Sequence, residues 1–221
     1  MLAVVGCHRS GTSAVAGALH HLGWYTGPDL MPPSPDNPKG YYESMPLVRL
    51  HEAALHRMGR TWDTAVPVED AWLHSFGAKQ AHVRARLLLQ RCKDAMPSNA
   101  LALKDPRLCM FRRLWQYVCQ AEGFQLRALL VVRHDHSVVQ SLCRRDKFKV
   151  EYAKELKQRY ALGMDDWQEH VPYGVVGYED LLEDWRKALG EAFDQLGFPT
   201  LVYADQQGAV DEYLDRGLNH A

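Results

Sequence analysis

Four short runs of apolar residues punctuate the chain: Leu2 to Val5, Ala100 to Leu103, Leu126 to Val132 and Tyr173 to Val176. None shows the regular apolar–polar alternation of a strand with one wet face, so each reads as a strand buried on both sides. Between them, apolar residues recur at helical spacing in "SAVAGALHHL", "SFGAKQAHVRARLLLQRCKDAM", "LCMFRRLWQYVCQAEG" and "EDWRKALGEAFDQLG". Several of these segments end in glycine, which readily takes the left-handed conformation that closes a helix. Buried strands separated by helices predict an α/β fold: a central parallel sheet of about four to five strands covered on both faces by helices, in three layers.

One long stretch breaks both patterns. "TGPDLMPPSPDNPKGYY", residues 26 to 42, holds five prolines and cannot be helical throughout. What precedes it is too short for a domain, so it reads as a loop across the ligand edge of the sheet rather than a linker. Ligands in open parallel sheets bind at the carboxyl ends of the strands. No internal repeat is present, and the expectation is a single domain over residues 1–221.

Composition narrows the class. Of 221 residues, 47% are apolar and 24% charged, as in an ordinary globular protein. A formal net charge of -1 gives no global field to attract nucleic acid or a membrane surface, so any basic site must be local. No apolar run is long enough to span a bilayer, and the N-terminus enters a strand at once, without a signal-peptide pattern. Cysteines at 7, 92, 109, 119 and 143 show no Cys-x-x-Cys spacing. Free thiols in a reducing, cytoplasmic setting are the expectation.

The first strand leads into "GCHRSGTSAVAGALHHLG", a glycine-bearing loop and then a helix. Such a loop presents backbone N–H groups at a helix N-terminus, where the helix dipole favours an anion. Here Ser10, Gly11, Thr12 and Ser13 supply amides and hydroxyls, and Arg9 supplies charge. A nucleotide kinase would carry Gly-Lys-Ser/Thr where this chain reads Ser10-Gly11-Thr12, so the triphosphate-gripping lysine is missing. A plain capped turn would need neither the arginine nor the glycines.

Two further strand ends carry polar groups. "ALALKDPRLCMF" places Lys104, Asp105 and Arg107 after the second strand. Asp105 can cap the next helix with Pro106 at its first position, which leaves Lys104 unexplained by capping. "LLVVRHDHSVVQSLCRRD" puts Arg133 at the end of the third strand and Ser141 about two turns into the following helix, so that the two can clasp a second anion.

Together these stretches resemble the sulfotransferase superfamily, whose central domain is P-loop-like. "HRSGTS" resembles its loop for the 5′-phosphosulfate of PAPS. Arg133 and Ser141 match its Arg-then-Ser spacing for the 3′-phosphate. "KDPR" resembles the strand-end lysine motif of tyrosylprotein sulfotransferases and many bacterial relatives. "VVGYEDLLEDWRKALGEAFDQLGFP" resembles the family's last strand and helix, and the resemblance places Tyr178 beside the adenine. It implies metal-independent sulfuryl transfer from PAPS to a hydroxyl or amine, releasing PAP. Arg9 and Lys104 would stabilise the leaving oxygen.

Two departures change the assignment of roles. Pro106 stands where cytosolic sulfotransferases carry a histidine base, and the C-terminal Arg-Lys-Gly segment that helps hold the 3′-phosphate is absent. Arg144, Arg145 or Lys147 are the candidates to replace that segment. For the base, the resemblance to tyrosylprotein sulfotransferases points to Glu43 in "NPKGYYES", with Asp105 in reserve. The competing reading of Glu43 is an exposed acid at a helix start. A small-metabolite kinase and a silent PAP-binding protein are the alternative functions.

The histidines do not suggest a metal. His51 and His56 are five residues apart, about 140° around a helix, whereas a shared ligand face needs a spacing of four. The acceptor stays open among small molecule, glycan and peptide. Trp62 and Trp72 can stack on sugars but also suit a core.

Overall fold

The first strand, β1 (Leu2–Val5), is apolar at every position because helices cover both of its faces. The computed structural model describes residues 1–96, 99–198 and 207–214. The strands β1, β2 (Ala102–Lys104), β3 (Arg127–Val132) and β4 (Tyr173–Gly177) form one parallel sheet in the order β2-β1-β3-β4. Leu2 is in register with Ala102 on one side and Arg127 on the other, and Ala128 with Tyr173.

Alternate strand residues face opposite layers. Ala3, Val5, Leu103, Ala128 and Leu130 join one core with α2 (Met45–Arg57), α4 (Phe76–Ala95), α5 (Arg112–Ala121), α6 (Asp135–Asp146) and α7 (Val150–His170). Leu2, Val4, Ala102, Leu129, Val131 and Val176 join the other with α1 (Thr12–His21), α8 (Tyr178–Glu183), α9 (Trp185–Gln195) and α10 (Gln207–Tyr213). A one-turn helix, α3 (Asp70–Leu73), precedes α4. The three-layer α/β expectation holds, with four strands.

Three differences from the sequence reading have local causes. β2 starts two residues later than its apolar run and ends one residue beyond it, so Lys104 is itself the last residue of the strand. The helix expected from Leu108 divides into a 3-10 turn, Pro106–Met110, and α5, with a break at Phe111. Pro106 sets the first turn, and Asp105 caps it by accepting the Arg107 N–H at 2.9 Å. The 21-residue α7 lies outside the helical segments expected from apolar spacing. Its Tyr160 and Trp167 are fully buried, while Leu162 is exposed.

The proline-rich segment does cross the carboxyl edge of the sheet. It is pinned by short bridges, Leu30 with Ser44 and Ser34 with Asn37. α10 docks on α1 through Tyr213, whose ring lies where a Cβ on Gly17 would stand. All five cysteines are free. Among the described residues no helix is long and apolar enough to cross a membrane.

Candidate active site

Strand order decides where a ligand can sit. β1 and β3 are neighbours, but the chain leaves β1 toward β2 and leaves β3 toward β4. Their carboxyl ends therefore open into a crevice, the usual binding place in a parallel sheet. The two loops meet there: Arg133 Nη1 donates to the Arg9 carbonyl at 3.2 Å.

The loop after β1 is closed from within. Ser10 donates both its backbone N–H (3.2 Å) and its hydroxyl (2.7 Å) to the Cys7 carbonyl. Ser10 thus shapes the loop, and the amides left for a ligand begin at Gly11. Arg9 is held at φ 67°, a left-handed conformation that is strained for any residue but glycine. No side chain caps α1, and its first internal bond runs from Val15 N–H to the Gly11 carbonyl. The N–H groups of Thr12, Ser13 and Ala14 precede that bond and have no acceptor within the helix.

Gly11 has φ 93°, and a Cβ there would come within 2.2 Å of the Tyr178 ring. Gly11→Ala is therefore expected to destabilise the protein by about 1–3 kcal/mol. Adding Tyr178→Ala should recover part of that loss in a thermal melt, because the clash goes while the strained φ stays. An unchanged melting temperature in Gly11→Ala would show that the turn is freely adaptable.

Tyr178 opens α8 at the end of β4. It packs on Gly11 and lies under the Arg133 guanidinium, 4.6 Å from the ring centroid. Arg9 Nε donates to Ser141 Oγ at 2.9 Å, and Arg9 Nη1 lies 3.7 Å from Asp36 Oδ2 in the proline-rich loop. The two anion positions expected from the sequence are thus joined: Arg133 and Ser141 both bond to Arg9. Asp135 pairs with Lys157, and Asp146 with Arg145.

The strongest pairing is at the end of β2. Lys104 Nζ donates to Glu43 Oε1 at 2.6 Å and to Ser13 Oγ at 3.1 Å. The two side chains are only 3% and 8% exposed, yet both border the cleft. Glu43 is not an exposed helix-start acid. The Met31 N–H donates to its carbonyl (2.7 Å), and its carboxylate turns to Lys104.

Asp105 has a different place from the one expected. It is wholly buried and absent from the cleft lining, which sets it back from an acceptor bound there. Its Oδ2 accepts from His51 Nδ1 at 2.8 Å, and Trp115 Nε1 donates to His51 Nε2 at 2.9 Å. Tryptophan can only donate, so the ring proton of His51 sits on Nδ1. Burial alone would raise the Asp105 carboxyl, but the Arg107 guanidinium and the His51 hydrogen bond hold it well below the usual range. The spacing of His51 from His56 bears only on metal ligation and does not point to this role. The signal that could have found its role is a helix histidine on an apolar face, facing a capping aspartate.

The cleft itself measures about 780 Å³ and is lined by six Lys or Arg and four Asp or Glu side chains. A chain of net charge -1 therefore carries a locally basic crevice. Of Arg144, Arg145 and Lys147, Arg145 lines the cleft, with its Nε on Asp146 and its guanidinium over Trp62. Lys147 bonds the Arg144 carbonyl, and Arg144 borders a separate groove between α6 and α7. Trp62 is at the cleft beside His8 (ring centroids 4.5 Å), whereas Trp72 packs on Phe111. Among the described residues no cluster of three or more His, Cys, Asp or Glu is placed to hold a metal.

No family model and no curated protein sequence matches the chain. Solved structures do. The sulfotransferase domain from the Synechococcus PCC 7002 olefin synthase matches over 90% of this chain and 73% of its own length, at 19% identity and a TM-score of 0.50. The sulfotransferase domain from the curacin biosynthetic pathway matches over 90% and 74%, at 14% identity and a TM-score of 0.48. The chain shares the fold of the first.

Proposed function

We propose that this protein transfers a sulfuryl group from PAPS to an acceptor hydroxyl or amine and releases PAP. The observation that carries this reading is the buried Lys104–Glu43 pair at 2.6 Å, meeting Ser13 beside an uncapped helix start. The fold shared with a sulfotransferase domain supports it. PAPS would bring a sulfuryl group already activated by a phosphate leaving group.

The protein's part is positioning and charge. The amides from Gly11 to Ala14, with Arg9, would hold the 5′-phosphosulfate, and Arg133 with Ser141 the 3′-phosphate. Glu43 would accept the proton of the acceptor hydroxyl as its oxygen bonds to sulfur and the bond from sulfur to the PAP oxygen breaks. A protonated Glu43 no longer holds Lys104 by charge, so the ammonium is released toward the leaving oxygen as charge builds there. Arg9 acts as a fixed charge, since a guanidinium does not give up its proton. The loop after β1 carries no lysine at the place of a kinase lysine, which counts against the kinase alternative.

The test is a titration with PAP, AMP and Mg-ATP, read by melting temperature and calorimetry. PAP should bind at least about tenfold tighter than AMP, because a hydrogen bond to a charged group contributes about 1.5–3 kcal/mol. Arg133→Ala should erase most of that gap and leave AMP affinity nearly unchanged. A gap that survives the substitution, or tighter binding of Mg-ATP than of PAP, would overturn the reading.

A further inference from the structure

Arg107 lines the cleft with its side chain only 7% exposed. Its Nε and Nη1 have no hydrogen-bond acceptor among the described residues. Nη1 lies 3.4 Å from Asp105 Oδ1, but that oxygen already accepts the Arg107 N–H, and Oδ2 is taken by His51. Among the described residues Nη2 reaches Glu52 Oε1, at 3.4 Å, from a side chain that is 60% exposed. A guanidinium carries five N–H donors, and a buried charged donor without acceptors is costly. The proposed transfer reaction leaves this cation unused.

Its position is rigid. Pro106 fixes the backbone before it, and the chain Trp115–His51–Asp105 anchors its counter-charge. It also lines the same cleft as Lys104, Glu43 and Ser13. Burial would loosen the Arg107 proton, but the negative charge of Asp105, and then of Glu43, holds it more tightly overall. Trp62 and His8 supply flat walls in the same cleft.

We propose that Arg107 anchors an oxyanion of the acceptor, so that the acceptor is an acid bearing its hydroxyl a short distance from a carboxylate, sulfate or phosphate group. This rests on the sulfuryl-transfer reading and names the acceptor class for it. Glu52 holds the place of that oxyanion and is displaced when the acceptor binds. A planar, bidentate partner suits a guanidinium better than a neutral amide does.

The test uses PAP-saturated protein and four acids: 2-, 3- and 4-hydroxybenzoate and lactate, each with its amide, together with 4-hydroxybenzenesulfonate. Binding is read by calorimetry or ligand-observed NMR. At least one acid should bind about tenfold tighter than its amide. Arg107→Gln should abolish that preference while PAP affinity stays as in the wild type. Glu52→Gln should tighten the acid about threefold and leave the amide alone, since it removes a competing carboxylate. Glu52 is exposed, so this variant keeps the test alive should Arg107→Gln fail to fold. Equal binding of acids and amides, an acid preference that survives Arg107→Gln, or no gain in Glu52→Gln overturns the proposal. The sulfonate arm separates a requirement for carboxylate from one for any oxyanion. Failure of PAP itself to bind would strike the donor reading instead, and the same pairs on PAP-free protein would still report on Arg107.

Discussion

Lys104→Met is expected to lower turnover about 10²–10³-fold, the usual cost of losing one donor to a developing oxyanion. It should also destabilise the protein by about 3–5 kcal/mol, because Glu43 is left as a buried charge without its partner. The two effects can be separated. In the double variant Lys104→Met/Glu43→Gln no charge is stranded, so most of the stability should return while turnover stays lost. Glu43→Gln alone should keep PAP binding and lose most activity, since an amide cannot take the acceptor's proton. Urea unfolding and PAP release, measured on all three variants, check this. Recovery of turnover in the double variant would remove Lys104 and Glu43 from the chemistry. Full stability in Lys104→Met would mean that the pair is open to water.

Asp105→Asn should be the most destabilising change outside the cleft, again about 3–5 kcal/mol. For a chain of this size that is roughly 6–20 °C in melting temperature. The carboxylate accepts from His51 Nδ1 and from the Arg107 N–H, and it is the counter-charge of a buried guanidinium. Asparagine keeps one acceptor oxygen and turns a donor toward a donor. Because the Asp105 carboxyl is held well below its ordinary range, its contribution is present above the unfolded pKa, about 3.9. It is lost as pH falls through the lower folded value. The gap between wild type and Asp105→Asn should therefore be constant from neutral pH to about 4 and narrow below that. A gap that does not narrow in acid would show that the ionised carboxylate is not its source. The same variant should loosen Arg107 and weaken the acid preference, with PAP affinity retained.

Some residues kept the position their local sequence gave them, and others did not. Arg133 and Lys104 are at strand ends because an apolar run stops there, and a strand end in a parallel sheet faces the ligand edge. Gly11 and the uncapped start of α1 follow from the same kind of reading. Asp105 was legible as a cap, and it is one. Its second partner, His51, is 54 residues earlier on α2, and no spacing rule joins the two. Glu43 looked like an acid at a helix start. Only the packing of the proline-rich segment against β2 turns it toward Lys104 and out of water.

The sequence by itself determined the class of fold, the four strands and the glycine-bearing loop after β1, since each depends on short-range patterns: apolar runs, helical spacing, glycine and proline. Tertiary structure alone decided which charges meet. Strand order brings the ends of β1 and β3 together, so Arg9 and Arg133 share one crevice although 124 residues separate them. It also pairs Lys104 with Glu43 across 61 residues and leaves Arg107 buried without a full set of acceptors. Charge pairing acts through space over a few ångströms, and distance in space is set by topology, not by position along the chain.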